Sequence, residues 1–196
     1  VACTDPADAQ AALEAALKSS DGGLSVIPLL DTTETQPKRR SLLQPRLCGL
    51  AFAGAAGAAT YVPLAERAFD APEWAFLREW IEDAGRPKYC HDAKELWVAL
   101  RRQGVTLSGV AFDTRLASFL IDPTKLIPHR LEQTVKEFLH RTVHSLKSVV
   151  GSGKKEIPFS DAPLADASAY ACHLVDAIAE LAPLVKTRLD DSGQTA

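Results

Sequence analysis

The sequence predicts an α/β fold, a mixed β-sheet covered by helices, and three observations support this prediction. Short apolar runs near the N-terminus are separated by polar or glycine-bearing turns, as in a meander of strands. Strand and helix patterns then alternate through the middle of the chain, and helical patterns fill the end. A meander followed by alternation gives antiparallel and parallel neighbours in one sheet, and the helices pack on its faces.

The N-terminal part is predicted to form one helix and then a meander. Pro6 to Ser20 is rich in alanine and places its leucines at helical spacing, with Asp5 as the N-cap. A glycine pair ends this helix, and apolar runs then predict three strands, at 24–30, 47–53 and 60–64. The small-residue turn at 54–57 predicts a hairpin between the last two strands. The polar segment 31–44 is predicted to be a loop.

The rest of the chain is predicted to alternate strands and helices and then to become helical. Apolar spacing predicts amphipathic helices at 72–84 and 92–103, the second closed by Gly104. Short apolar runs predict strands at 87–90 and 110–112. Asp113 is predicted to cap a helix that stops before Pro123. Further helices are predicted at 131–139, 143–150 and 163–189, the last of them bent near Pro183.

The composition is that of an ordinary globular protein of one domain. The chain has 196 residues, of which 46% are hydrophobic and 24% are charged, and its formal net charge is −3. This charge balance argues against a dedicated DNA-binding domain, which is usually basic. The uninterrupted apolar runs, such as 47–53, are too short to cross a membrane.

The cysteines and the N-terminus predict a cytoplasmic protein. Four cysteines occur without a C-x-x-C pair, so zinc ribbons and redox motifs are not indicated and reduced thiols are expected. The N-terminus lacks the basic and apolar stretches of a secretory signal. The sequence contains no methionine, so we expect a piece of a longer chain, and we expect this piece to be a monomer.

Four segments resemble the 3′–5′ exonuclease domain of bacterial DNA polymerase I. In chain order they are CGLAFAGAAGAATYVPL (48–64), HDAKELWVAL (91–100), VALRRQGVTLSGVAFDTRLASFLIDP (98–123) and VVGSGKKEIPFSDAPLADASAYA (149–171). The resemblance implies a ribonuclease H-like three-layer fold, with a mixed sheet of five strands flanked by helices. It also implies that residues 1–196 form a single exonuclease-like domain, excised from a DNA polymerase chain that acts in replication and repair.

Active members of this family hold two divalent ions with four carboxylates and a tyrosine, and these ions activate the attacking water and stabilise the leaving oxygen. The first motif in such members is Asp-x-Glu on a strand, which places both carboxylates on one face. The matching segment here is Asp31-Thr32-Thr33-Glu34, which is one residue too long. In a regular strand Glu34 therefore points away from Asp31, and only a bulge restores the arrangement.

The second and third motifs of the family place leucines where active members have catalytic aspartates. Alignment on Lys94 puts Leu96 at the aspartate of the second motif. In the third motif Tyr170 is retained, but Leu174 stands at the aspartate position. Hydrocarbon side chains cannot bind Mg²⁺ or Mn²⁺, so the resemblance implies a lost metal site, filled by these two leucines together. We therefore expect no catalytic residue, no metal and no cofactor, and a domain that is an inactive scaffold beside the polymerase domain.

Two other functions remain open from the sequence. The first is a weakly active metal-dependent exonuclease that uses Asp31, Glu34, Asp92 or Glu95 in a shifted arrangement. The second is a module that binds single-stranded DNA without cutting it. The basic residues that are candidates for phosphate contacts are Lys38, Arg39, Arg40, Arg101, Arg102, Lys154 and Lys155. The expected partners are the polymerase domain of the same chain and, through that chain, DNA.

Overall fold

A computed structural model describes residues 1–20, 22–31, 46–124 and 128–193 of the chain. Within these residues the strands are β1 (Leu24–Asp31), β2 (Arg46–Ala53), β3 (Ala59–Pro63), β4 (Lys88–Cys90) and β5 (Val110–Asp113). The α-helices are α1 (Pro6–Ser19), α2 (Ala75–Glu82), α3 (Ala93–Arg102), α4 (Thr114–Ile121), α5 (Leu131–Phe138), α6 (Leu146–Val150) and α7 (Leu164–Asp191). Of the segment 31–44 that was predicted to be a loop, Asp31 instead ends β1, where it pairs with Arg46 of β2. Residues 32–44, with Glu34, Lys38, Arg39 and Arg40, lie outside the described residues.

The five strands form one mixed sheet in the order β3-β2-β1-β4-β5. The pairs β1–β2 and β2–β3 are antiparallel, so the predicted meander and hairpin are confirmed. The pairs β1–β4 and β4–β5 are parallel, as crossover helices require. The α/β prediction of a mixed five-stranded sheet is therefore confirmed, with β1 at its centre.

Two hydrophobic cores lie on opposite faces of the sheet, because successive strand residues point to opposite sides. Helices α1, α2 and α3 pack over one face, where Leu24, Val26 and Phe52 are buried. The long helix α7 crosses the other face together with α4 and α5, over Leu29 and Ala51. Helices on both sides of a central sheet give the three layers that the resemblance implied.

Local signals account for most helix boundaries. The Asp5 carboxylate accepts from the N–H groups of Ala7 and Asp8 and caps α1, as predicted. Two helix starts differ from the prediction by more than one residue. The helix expected from residue 72 begins as a 3-10 turn at Pro72–Trp74, and α2 follows it. The helix expected from residue 143 begins at Leu146, because the Ser145 hydroxyl accepts from the Lys147 N–H and caps it there.

Helix α7 continues through Pro183, and the predicted bend there stays a prediction. By length and composition alone, α7 is a candidate membrane span, which the short apolar runs of the sequence do not suggest. Half of its most apolar window is buried inside the protein. Packing of Ala171, Val175 and Ile178 in the second core accounts for this apolar character.

Candidate functional site

Asp31 ends the central strand β1, and protein groups surround its carboxylate. The backbone N–H of Phe159 donates to Oδ1 at 2.8 Å, and the Ser160 hydroxyl donates to Oδ2 at 3.2 Å. The Arg46 guanidinium lies 3.6 Å from Oδ2, and the Asp31 side chain is only 12% exposed. The carboxylate therefore ties the segment before α7 to the centre of the sheet, across 128 positions of sequence.

Leu96 lies in the first core, between α3 and the sheet. It is 1% exposed and shares the sheet-facing stripe of α3 with Ala99 and Leu100, at helical spacing. Leu174 lies instead in the second core, on α7, and is 5% exposed. The two leucines therefore belong to different hydrophobic clusters, each on the buried stripe of its own helix. The expectation that they fill one site together stays a prediction.

Tyr170 lies on α7 four residues before Leu174, and the two share a hydrophobic cluster. Its ring packs against Phe159, with the ring centroids 6.0 Å apart. The backbone N–H of Phe159 also donates to the Asp31 carboxylate, so Asp31 and Tyr170 both contact Phe159. Burial raises the pKa of the Tyr170 phenol, and the Glu132 and Glu95 carboxylates raise it further. The phenol therefore stays protonated at neutral pH.

The carboxylates at the start of α3 cap helices and pair with a cation. Asp92, with its backbone in the left-handed region at φ 67°, accepts from the Glu95 N–H at 3.2 Å and pairs with Arg115. Its side chain is therefore the N-cap of α3. Burial, followed by the nearby Asp92 carboxylate, raises the pKa of Glu95. Asp92 thus has a structural role, and Glu95 is a carboxylate whose protonated form is favoured by its surroundings.

A second aspartate, Asp113, caps two helices at once. Its Oδ1 accepts from the Arg115 N–H at 2.9 Å, which caps α4 as predicted. Its Oδ2 accepts from the Ala93 N–H at 2.7 Å, at the first residue of α3. One carboxylate at the end of β5 therefore positions α3, which carries Leu96, and α4 together.

A cavity of about 330 Å³ lies beside the residues that bind the Asp31 carboxylate. The residues that line it include Arg46, Cys48, Tyr61, Phe159 and Ser160. Burial raises the pKa of the Cys48 thiol to about 12, so this thiol stays protonated and unreactive. No carboxylate belongs to this lining among the residues that the structure describes, so the cavity presents a guanidinium, a hydroxyl and aromatic rings.

Whether a divalent ion can bind here depends on which metal-ligating side chains lie close together. Among residues 1–20, 22–31, 46–124 and 128–193, no group of three or more His, Cys, Asp or Glu side chains could hold a metal ion. Asp31 is the carboxylate at the position of the first motif, but two hydrogen-bond donors already take its oxygens. These residues do not fit a two-metal centre. Because Glu34 lies outside the described residues, the expectation that no Mg²⁺ or Mn²⁺ binds stays a prediction.

The described basic candidates lie on two separate elements. Arg101 and Arg102 are exposed in the last turn of α3. Lys154 and Lys155 are exposed in a 3-10 turn at Gly153–Lys155. Their role as phosphate contacts stays a prediction.

Sequence reasoning missed the partners of Asp31 and the second role of Asp113. Nothing in the local pattern around Phe159 and Ser160 indicates a bond to a strand residue 128 positions earlier. The signal for Asp113 is stronger, because an aspartate between a short strand and an apolar helix already predicts one cap. Its bond to α3 depends on the parallel pairing of β4 and β5, which fixes the two helix starts side by side.

Comparison with known proteins agrees with this architecture. A family model described as "DNA polymerase I, ribonuclease H-like domain" matches residues 46–181, which is more than half of the chain. The DNA polymerase I of Bacillus subtilis (strain 168) is 36% identical over 92 residues, covering 46% of this chain and 10% of that protein. The DNA polymerase I of Pseudomonas aeruginosa is 28% identical over 142 residues, covering 68% of this chain and 15% of that protein. The chain thus spans a small part of the length of these relatives.

Solved structures share the fold. The chain resembles a structure described as the POL domain of Pol1 from M. smegmatis in complex with DNA primer-template and dNTP. The TM-score is 0.68 at 23% identity, over 97% of this chain and 28% of that one. It also resembles Escherichia coli RNase D, an exoribonuclease, with a TM-score of 0.59 at 15% identity, over 100% of this chain and 51% of that one. At these identities the likeness establishes the fold, and the ribonuclease H-like prediction is confirmed.

Proposed function

Because the chain belongs to the family of ribonuclease H-like domains of DNA polymerase I, we propose that it is a catalytically inactive 3′–5′ exonuclease-like domain. In this proposal it is one domain of a longer cytoplasmic chain and serves as a scaffold beside a polymerase domain. The longer chain synthesises DNA in replication and repair, and DNA reaches this domain only through that chain. The domain itself binds no Mg²⁺ or Mn²⁺.

The observation that carries this proposal is the surroundings of the three motif positions. Two-metal hydrolysis needs oxygen ligands that converge on ions about 4 Å apart. Leu96 and Leu174 offer hydrocarbon, both are almost fully buried, and they belong to different cores. Neither leucine offers an oxygen ligand to a pair of ions, which supports the proposal.

The state of Asp31 supports the same conclusion. To bind a hard cation, its carboxylate has to give up the Phe159 N–H and the Ser160 hydroxyl. The N–H lies in a partly buried place, and a buried donor without a partner costs about 1–3 kcal/mol. The present arrangement is thus that of a carboxylate that holds the fold together.

A gel assay with 5′-labelled single-stranded DNA and Mn²⁺ tests the proposal. We expect no shortening of the DNA, while an active proofreading exonuclease digests it under the same conditions. EDTA and the Asp31→Ala variant serve as controls. Shortening that both controls abolish would show that a catalytic site has been rebuilt from shifted carboxylates, and the proposal of inactivity would be wrong.

A passive DNA-binding module is the second candidate, and the exposed Arg101, Arg102, Lys154 and Lys155 favour it. Contacts between such side chains and phosphates release counterions, so the affinity falls steeply as salt rises. Fluorescence anisotropy of labelled single-stranded DNA at several salt concentrations separates the two candidates. Salt-dependent binding without cleavage favours the module, and its absence favours the scaffold.

A further inference from the structure

Helix α4 carries its small residues on the inside and its large apolar residues on the outside. The side chains that face the core are Thr114, Ala117 and Ser118, at 0%, 3% and 2% exposure. The side chains that face solvent are Leu116, Phe119 and Leu120, at 57%, 46% and 41% exposure. We call these three exposed residues the α4 patch.

The residues of the α4 patch have the sequence spacing of a helix face that packs against another element. Its members stand at positions i, i+3 and i+4, so they form one face of the helix. A surface helix normally turns such a stripe towards the core and exposes polar residues. In α4 both faces are free of charged groups apart from Arg115, which pairs with Asp92. A helix of this kind is typical of an element that is covered on both sides.

The patch is held in a fixed position. The Asp113 carboxylate caps α4, and α4 packs along α7. The Ser118 hydroxyl and the His129 Nδ1 lie 2.9 Å apart, and the His129 ring meets the Phe119 ring edge to face at 5.6 Å. The docking of a partner on this face therefore costs α4 little conformational entropy.

From these observations we infer that the α4 patch docks against an apolar surface of the polymerase part of the same longer chain. The inference rests on the proposed function, which makes this domain part of a DNA polymerase. The chain covers only 10% and 15% of the two polymerases described above, and 28% of the M. smegmatis chain. Most of each relative thus lies outside the matched domain.

The small size of the α4 patch also favours a partner that is covalently attached to this domain. Three side chains on two turns of helix form a small contact, well below the area that a stable complex of separate proteins buries. A tethered partner needs less, because attachment holds it at a high effective concentration. The scarcity of charge in α4 argues against phosphate or an acidic peptide as the occupant.

The sequence predicts an exposed apolar patch near the last helix or the tryptophan-bearing helix, and single exposed apolar residues lie on α3 and α7. Trp97 on α3 is 49% exposed and Leu184 on α7 is 48% exposed. They are isolated in sequence, whereas the α4 patch combines three neighbours on one helix face. The α4 patch is therefore the better candidate for an interface.

Cysteine labelling of the full-length chain tests the docking. Phe119→Cys and, separately, Leu116→Cys are made in a chain whose other accessible cysteines, including the half-buried Cys172, are replaced by serine. Gln10→Cys on the exposed side of α1 is the matched control, since α1 packs over the other face of the sheet. Each maleimide rate is divided by the rate of the same variant in denaturant.

We expect both patch cysteines to react at least about tenfold more slowly than Gln10→Cys, because docking covers them. Equal normalised rates at the three positions would overturn the inference. Sedimentation and dilution of the same chain separate a second copy from the tethered partner. Slow labelling that becomes fast as a dimer dissociates would assign the patch to self-association and overturn it too.

The labelling rates do not depend on nuclease activity. Shortening of DNA in the gel assay would therefore refute the proposed inactivity and leave the docking result standing. Primer extension by the same full-length chain checks separately that it is a polymerase.

Discussion

Leu174 is an apolar residue at a position where the resemblance implies a carboxylate. In active relatives the resemblance places an aspartate here, facing metal ions. In this chain Leu174 is 5% exposed and packs in a cluster with Tyr170 and Phe159. Position 174 is thus part of a hydrocarbon core, where an isolated charge is strongly disfavoured.

A carboxylate at position 174 is therefore expected to destabilise the fold. We expect Leu174→Asp to lower the free energy of unfolding by about 4 kcal/mol or more, because it removes a buried side chain and buries a charge. Leu184→Asp on the same helix is the matched control, since Leu184 is 48% exposed, and its cost is expected below about 1 kcal/mol. Urea unfolding followed by circular dichroism measures both. Similar costs for the two variants would mean that Leu174 lies in a solvated cleft.

At the scale of elements, local sequence patterns predict several helix starts and one hairpin. Capping aspartates at positions 5, 92 and 113 mark the starts of α1, α3 and α4, and each was predictable from an acidic residue before an apolar repeat. The hairpin of β2 and β3 was predictable from a turn of small residues between apolar runs. These features depend on neighbours within a few positions, so no knowledge of the tertiary structure is needed.

Other features depend on partners that are far away in sequence. Lys88 is fully buried at the start of β4, and its ammonium donates to the carbonyls of Asp83 and Arg86, which charge patterns alone do not indicate. The periodicity of α4 identifies Leu116, Phe119 and Leu120 as one apolar face. It cannot tell whether that face packs on this domain or on another part of the molecule. The hydrogen bond from the Phe159 N–H to Asp31 likewise cannot be predicted from neighbouring residues in the sequence.

The double cap at Asp113 gives a prediction about elements. We expect Asp113→Ala to lower the free energy of unfolding by about 2–3 kcal/mol, because one carboxylate binds the first N–H groups of α3 and of α4. Asp5→Ala removes a carboxylate that caps α1 alone and is expected to cost about 1 kcal/mol. Denaturant unfolding of the two variants measures the difference. Equal losses would contradict the double role.

At the scale of the whole molecule, two carboxylates tie distant parts of the chain together. Asp31 joins the end of the central strand to the segment before α7, across 128 positions. Asp176 on α7 accepts from the Gly57 N–H at 3.0 Å and joins that helix to the hairpin turn, across 119 positions. Together these ties hold the first strands of the sheet and the last long helix in one body.

The tie at Asp31 separates a structural role from a metal-binding role in one experiment. If its carboxylate serves the fold, Asp31→Ala loosens residues 151–162, and hydrogen exchange there accelerates while exchange in α1 stays unchanged. Asp176→Ala is the matched control, because it removes the other tie and is expected to accelerate exchange near Gly57 instead. In the unmutated chain, millimolar Mn²⁺ and EDTA are expected to leave the melting temperature unchanged, since a ligand stabilises a fold only if it binds the native state. A melting temperature that rises with Mn²⁺ in the unmutated chain but not in Asp31→Ala would show that the carboxylate still holds a metal ion, and the structural role assigned to it would be wrong.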